Sequence, residues 1–390
     1  MVQENYTPLI EKIYNIFTRD GNQGMREVFE LILNEIAKIE RAQYLGVEPY
    51  ERSESRVTHA NGFKDKALKT RVGELNLKIP QTRDCKFYPT SIEKGLRSER
   101  ALGLAIAEMY MQGVSTRKIA AIAEKLCGVQ VTSDEVSRLN KQLDEILDKW
   151  RNRQLGSCQY LYLDARYEKV RNGGVIVDCA VLIAVGVNAD GHRDVIGVSV
   201  AISEAEVHWR KFLQTLQERG LHGVKLIISD DHAGLKAARR AVFPSIPWQR
   251  CQFHLQQNAQ SYITKVEYKK IVANDIRGIF NSPTEIEAEL FKKKIVAKYS
   301  KTMPGLSDWM ENNIHEGLTV FKFPVSHRKK IRTSNVLERL NREIKRRTSV
   351  AVMFPNEASC LRLVSAILME ISEDWLFESR YLNINDKEVE

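Results

Sequence analysis

Four acidic residues stand where they could do chemistry. Asp164 closes the run Gln159-Tyr-Leu-Tyr-Leu-Asp164, Asp230 and Asp231 follow Val224-Lys-Leu-Ile-Ile-Ser229, and Glu338 lies in a basic stretch. An aspartate directly after a short apolar run reads as a carboxylate presented at a strand end. Glu338 accompanies Leu337, Leu340 and Ile344, the apolar stripe of an amphipathic helix. Three carboxylates converging in a basic setting could hold hard divalent cations through oxygen. Two Mg²⁺ ions roughly 3.5–4 Å apart would activate an attacking oxygen and stabilise the leaving oxygen of a phosphodiester. Each acid also has a plain reading. Asp164 fits an ordinary strand end, Asp230 or Asp231 the N-cap of the next helix, and Glu338 a solvated acid moderating a basic face.

The surrounding charge bears on that choice. Residues 1–150 hold 23 Lys/Arg against 22 Asp/Glu, whereas Lys322–Arg347 hold 10 against 2, so one stretch accounts for nearly all of the net +9. Charge concentrated in this way suits a polyanionic partner, nucleic acid ahead of a membrane surface. With 43% apolar and 28% charged residues, wholesale disorder is excluded, and 390 residues suggest two or three domains. The six cysteines (Cys85, Cys127, Cys158, Cys179, Cys251, Cys360) are dispersed without a C-x-x-C pair, which fits reduced thiols. The N-terminal residues include Glu4 and Glu11 and no basic-then-apolar run. The longest apolar run, Val175–Asn188, is interrupted by Asp178. A soluble intracellular protein without a signal peptide is therefore expected.

The elements that must position the acids follow from periodicity. Residues 1–45 have helical spacing; residues 46–95 lose it, with a short alternating strand at Glu74–Pro80. From Arg97 to Trp150 helical spacing returns in three pieces. The first ends at Gly113, the second runs from Ser115 to Cys127-Gly128, and the third opens at Thr132-Ser133. These match a helix-turn-helix whose third piece offers Ser137, Arg138, Asn140 and Lys141 to DNA, and they equally match a plain helical bundle. After Trp150 come three strands joined by the turns Asn172-Gly173-Gly174 and Asp190-Gly191. A helix opened by a Ser203–Glu206 capping box follows, then the strand ending at Ser229, a helix His232–Val242, a strand at Pro247–Gln249 and a helix from Phe253. Two hairpins give an antiparallel meander, and the crossover makes the fourth strand parallel to a neighbour. This is the order of the ribonuclease-H-like α/β fold, which sets the carboxyl ends of the Asp164 and Asp230 strands side by side. Alternation puts Asp164 on the same side as Tyr160 and Tyr162. Residues 262–327 read as mostly helical, with breakers at Pro283 and Met303-Pro304-Gly305, and interrupt the α/β pattern as an insertion would. A basic helix from Thr333 and a last helix Asn356–Trp375 complete the chain.

Four ordered motifs make a resemblance specific: Leu163-Asp-Ala-Arg-Tyr-Glu-Lys-Val-Arg171, Ser229-Asp-Asp-His-Ala-Gly-Leu-Lys-Ala237, Trp248-Gln-Arg-Cys-Gln-Phe-His254 and Asn335-Val-Leu-Glu-Arg-Leu-Asn-Arg-Glu-Ile-Lys-Arg-Arg-Thr348. Over nearly its whole length the chain resembles the Mutator-like bacterial insertion-sequence transposases, DDE enzymes with a ribonuclease-H-like core. The resemblance implies a multidomain α/β protein. Residues 1–95 would be a helical and mixed DNA-binding region and 96–150 a helix-turn-helix. Residues 151–261 would form the first part of the catalytic core, 262–327 an all-α insertion, and 328–390 the second part, with the glutamate helix and a C-terminal helix. It implies that Asp164, Asp230 and Glu338 are catalytic and hold two Mg²⁺ ions, with Mn²⁺ as a substitute. Family convention, and not the sequence itself, selects Asp230 over Asp231. Cys251-x-x-His254 matches a family signature; lacking a second ligand pair it makes a poor zinc site, and it is read as support for the core beside the site. The residue after the first aspartate, often Gly in the family, is Ala165 here.

Seven residues beyond Glu338, two helical turns, stands Lys345, placed to grip the bound strand together with Arg342, Arg346, Arg347 and Asn335, while Arg138 and Lys141 serve the helix-turn-helix. The activity implied is hydrolysis at the terminal inverted repeats of the chain's own element, then joining of the freed 3′-OH by transesterification, through a circular intermediate. A homodimer on DNA, no membrane partner, and a bacterial cytoplasmic, nucleoid-associated location go with it. The rival readings are a non-enzymatic DNA-binding regulator, a structure-specific nuclease on the same fold, and a decayed transposase copy.

Overall fold

The computed structural model describes residues 7–49, 51, 53, 56–84, 86–92, 94, 100–141, 143–349 and 353–384. Glu4, Cys85 and the expected helix start at Arg97 lie outside them. The chain divides into two compact units, Met1–Gln142 and Leu143–Glu390. The described cysteines Cys127, Cys158, Cys179, Cys251 and Cys360 are free thiols, and no described helix is long and apolar enough to cross a membrane.

In the first unit, α1 (Thr7–Asp20) and α2 (Met25–Leu45) precede a hairpin of β1 (Ala60–Thr70) and β2 (Gly73–Thr82). β2 buries Leu75, Leu77 and Ile79 at period two against Ala37 of α2. The expected strand is thus one arm of a hairpin. Its other arm is mostly exposed and rich in lysine, so it carries no alternation to read. Helices α3 (Arg100–Met111), α4 (Thr116–Cys127) and α5 (Ser133–Lys141) close around Leu102, Ile106, Ile119, Ala123 and Val136. Ser115 accepts the Lys118 N–H at 3.4 Å. Thr132 and Glu135 cap one another, Glu135 N–H donating to Thr132 Oγ1 at 3.1 Å and Thr132 N–H to the Glu135 carboxylate at 3.0 Å. Two expectations need correction. The third helical piece stops at Lys141 and does not reach Trp150, and Asn140 is only 1% exposed, so it faces the bundle and not a ligand.

The second unit opens with α6 (Asp144–Arg151) and builds a sheet from β3 (Cys158–Asn172), β4 (Val175–Asn188), β5 (Arg193–Ala201), β6 (Leu226–Ser229) and β7 (Trp248–Arg250), in the order β5-β4-β3-β6-β7. The first three strands are antiparallel and the last two run parallel to β3. Helices α7 (Glu206–Glu218) and α8 (Ala233–Val242) cover one face, packing Trp209, Leu213, Leu216 and Leu235 onto Leu161, Leu163 and Leu182. On the other face the Tyr160 hydroxyl meets His327 Nδ1 at 2.7 Å and the Tyr162 hydroxyl donates to the Lys330 carbonyl at 3.3 Å. The expected capping box of α7 does not form. Ala205 is the N-cap, and Ser203 Oγ accepts the Ala205 N–H at 3.4 Å. The segment is fixed instead by α8: a Cβ on Gly234 would stand 2.2 Å from the Glu204 carbonyl oxygen, so only glycine permits this approach.

Every regular element described between β7 and residue 349 is helical: α9 (Gln252–Ala259), α10 (Val266–Phe280), α11 (Glu285–Tyr299), α12 (Pro304–Asn313), α13 (Val325–Ile331) and α14 (Asn335–Thr348), with short 3-10 turns between α12 and α13. The expected breaks coincide with helix starts. Thr284, just after Pro283, caps α11 through the Glu287 N–H at 3.2 Å, and Pro304 takes the first turn of α12. Last comes α15 (Glu357–Phe377), capped by the Asn356 side chain, whose Ser372 hydroxyl accepts the Val195 N–H of β5 at 3.0 Å.

Candidate active site

The site lies where the sheet narrows. β6 ends at Ser229, opposite Leu163 of β3, so Asp164 and Asp230 are the next residues on two adjacent parallel strands. β3 does not stop at Asp164 but continues through Arg166–Arg171 to Asn172, paired there with β4 and bridged at Val170 to Phe354. Asp164 Oδ1 accepts its neighbour Ala165 N–H at 2.9 Å, and Oδ2 accepts from Asn341 Nδ2 of α14 at 2.8 Å. Burial pushes the Asp164 carboxyl up to about 6; the Ala165 N–H and His254 oppose the rise, and Asp230 and Glu204 add to it.

The two consecutive aspartates have different surroundings. Asp231 is held by Lys236 at 2.8 Å and by Arg250 at 2.9 Å, both of which also pair with Glu316. Asp230 Oδ1 is buried without a hydrogen-bond partner and stands 4.0 Å from His254 Nδ1. Neither caps α8, whose N-cap is His232, so the capping reading falls for both.

Glu338 enters from the first turn of α14, which buries Val336, Leu337, Leu340 and Ile344 and thereby turns Glu338 and Asn341, one turn apart, towards the sheet. Glu338 Oε1 is likewise buried without a partner. The donor atoms of Glu338, Cys251 and His254 all lie within 4.8 Å of one another. Cys251 ties the parts together: its N–H donates to the Ser229 carbonyl at 2.8 Å, and its Sγ accepts the Ser334 N–H at 3.3 Å. The C-x-x-H segment therefore fastens the end of β6 to the start of the glutamate helix. A hydrogen bond with Cys251 raises His254 to about 9 against the opposing effect of burial, and Asp230 and Asp164 contribute. Burial pushes the Cys251 thiol up, but His254 and Ser334 outweigh it and leave the thiol below its ordinary value.

Asp230 stands 4.0 Å from His254, Glu338 lies within 4.8 Å of it, and Asp230 Oδ1 and Glu338 Oε1 are buried with nothing to satisfy them, as oxygen donors to an ion would be. Among the basic residues expected to meet DNA, Lys345 and Arg342 are exposed and pair with no described acid, and Asn335 is exposed at the start of α14. Arg346 is exposed but pairs with Glu343 at 2.6 Å. Arg347 is buried, its guanidinium gripped by Glu343 at 2.8 Å and Glu370 at 2.6 Å, which makes it a cation of the core and not of the surface. In the first unit Lys141 is exposed, and Arg138 is exposed with Glu135 at 4.0 Å. Asn341 was not singled out by composition or motif, although its place three residues after Glu338 is a signal that helical spacing carries. Glu204, near enough to Asp164 to raise it, has no such signal, because the tertiary approach at Gly234 puts it there.

The whole-chain comparisons point one way. A family profile described as "Transposase, Mutator family" matches residues 1–378. The transposase for insertion sequence element IS406 of Burkholderia multivorans is 54% identical, covering 96% of this chain and 97% of that protein. The transposase for ISRM5 of Rhizobium meliloti is 43% identical over 93% and 91%. The transposase for IS256 in transposon Tn4001 of Staphylococcus aureus is 36% identical over 99% and 100%.

Proposed function

Since the chain belongs to the Mutator family of transposases, we propose that it is a DDE transposase acting on the terminal inverted repeats of its own insertion sequence. The observation that carries this reading is the convergence of Asp164, Asp230 and Glu338, from β3, the end of β6 and α14, around His254, with buried carboxylate oxygens left unsatisfied. The sheet order and the parallel pairing of β3 with β6 support a ribonuclease-H-like core, and residues 262–327, whose described regular elements are helical, would be its all-α insertion.

Asp164, Asp230 and Glu338 would hold Mg²⁺, with Mn²⁺ as a substitute; when bound, the ions polarise the phosphodiester and the oxygen that attacks it. Asn341 holds Asp164 in place through Oδ2, and the Ala165 N–H does so through Oδ1. His254, carrying a proton at neutral pH, offsets the repulsion of the gathered carboxylates. Lys345 and Arg342 bind strand phosphates, which position DNA without reading it. In the first step water attacks phosphorus, the P–O3′ bond breaks, and a 3′-OH is freed opposite a 5′-phosphate. In the second, that 3′-OH attacks a phosphodiester beside the other end of the element and expels its 3′ oxygen, so one bond forms for each broken. The branched product resolves to a circle that is later inserted. Helices α3–α5 serve as a helix-turn-helix presenting Arg138 and Lys141, and the enzyme works as a homodimer on nucleoid DNA.

The test is amplification across abutted element ends in cells that carry the gene between its native flanks. A junction is expected with wild type and not with Asp164→Asn, Asp230→Asn or Glu338→Gln, each of which still binds terminal-repeat DNA. A junction formed by any of the three would overturn the assignment. Cleavage without joining would leave a nuclease.

A further inference from the structure

We infer that Cys251, His254 and Glu338 form a binding site for a thiophilic divalent transition metal of the zinc class, separate in its chemistry from the oxygen-only Mg²⁺ site but sharing Glu338. A single C-x-x-H pair supplies two ligands, which is too few. The fold supplies the third, because α14 delivers the Glu338 carboxylate to within 4.8 Å of both the thiol and the imidazole. Ligand atoms around tetrahedral zinc lie roughly 3.3–3.6 Å apart, given metal–ligand bonds of about 2.0–2.3 Å. The three donor atoms thus need close by about an ångström, a side-chain adjustment, to hold such an ion.

Thiolate, imidazole and carboxylate together are the donor set of open zinc sites, in which three protein ligands leave a fourth position for water. Thiolate sulfur selects zinc-like ions over Mg²⁺, which takes oxygen. Two further features suit a bound ion. The Ser334 N–H donates to Cys251 Sγ at 3.3 Å, a hydrogen bond of the kind that orients metal-bound thiolates, and Glu338 Oε1 is buried with no partner of its own. An ion held here occupies Glu338 and withholds it from Asp164 and Asp230, so zinc-class ions and Mg²⁺ compete for one carboxylate.

The inference stands apart from transposition chemistry, because its test uses the full-length chain and Co²⁺ without DNA or Mg²⁺. Titration with Co²⁺ is expected to give a thiolate-to-cobalt charge-transfer band in the near ultraviolet, saturating at one equivalent and erased by Zn²⁺. Cys251→Ser removes the band. Since that residue is fully buried and its replacement could unfold the chain, His254→Gln and Glu338→Gln are measured alongside. Each is expected to weaken Co²⁺ at least about ten-fold while retaining the wild-type circular dichroism. No band from folded wild type, a band kept by Cys251→Ser, or Co²⁺ affinity untouched by Glu338→Gln would each overturn the site.

Discussion

Asn341 donates its amide hydrogen to Oδ2 of Asp164 across 2.8 Å, so the helix that delivers the glutamate also grips the first aspartate. A hydrogen bond to an ionised carboxylate favours the ionised form. Asn341→Ala is therefore expected to lower end joining by about 10–100-fold, by analogy with supporting ligands in metal sites. It should also move the rising limb of the pH–rate profile to higher pH. A loss of rate with an unmoved limb would mean that Asn341 only fills space.

Asp164 itself sets a pH dependence of stability. Its native value of about 6 lies above the unfolded value near 3.9. The carboxyl's contribution is thus fully present below about pH 4 and lost as pH rises through 6. Without metal, Asp164→Asn should unfold at higher temperature than wild type at pH 8, by the equivalent of about 1–2 kcal/mol, and show no gain at pH 4. Mg²⁺ should stabilise wild type and not the variant. Thermal melts at the two pH values decide the matter.

The consecutive aspartates should separate cleanly. Asp230→Asn is expected to abolish junction formation. Asp231→Asn removes a charge that Lys236 and Arg250 already neutralise, so it should cost about 2–3 kcal/mol of stability through the buried Arg250 and leave junctions detectable. Equal loss of junctions from two folded variants would contradict the division.

Lys345 and Arg347, two residues apart, should also fall into different classes. Lys345→Ala should weaken binding to any duplex and lower the salt slope by about one phosphate contact. Arg347→Ala leaves Glu343 and Glu370 without their buried partner. It should destabilise the chain by about 3 kcal/mol while the folded fraction keeps the wild-type slope. Binding isotherms at several salt concentrations, read beside melts, test both.

Legibility from sequence followed physical range. The three strands, the capped helices α4 and α5 and the stripe of α14 announce themselves by local periodicity and turn chemistry. β1 does not, because its solvent-facing lysines hide the alternation. The candidate carboxylates were legible from strand ends and a helix face, but their separate environments were not. Only folding brings Arg250 to Asp231 and leaves Asp230 facing His254. The basic stretch misleads in another way: a charge count treats Arg347 like Lys345, although one is buried and the other exposed.

The long path by which Glu338 reaches the two aspartates has a consequence for the chain during its own synthesis. The sheet, both aspartates and Cys251 precede α14 by many tens of residues, and the closing bond, Ser334 N–H to Cys251 Sγ, cannot form until that helix exists. A nascent chain can fold its strands on the ribosome while still lacking its third carboxylate. On the proposed mechanism, a chain that has folded its sheet but not yet made α14 therefore holds both aspartates in place without the residue that would complete the site.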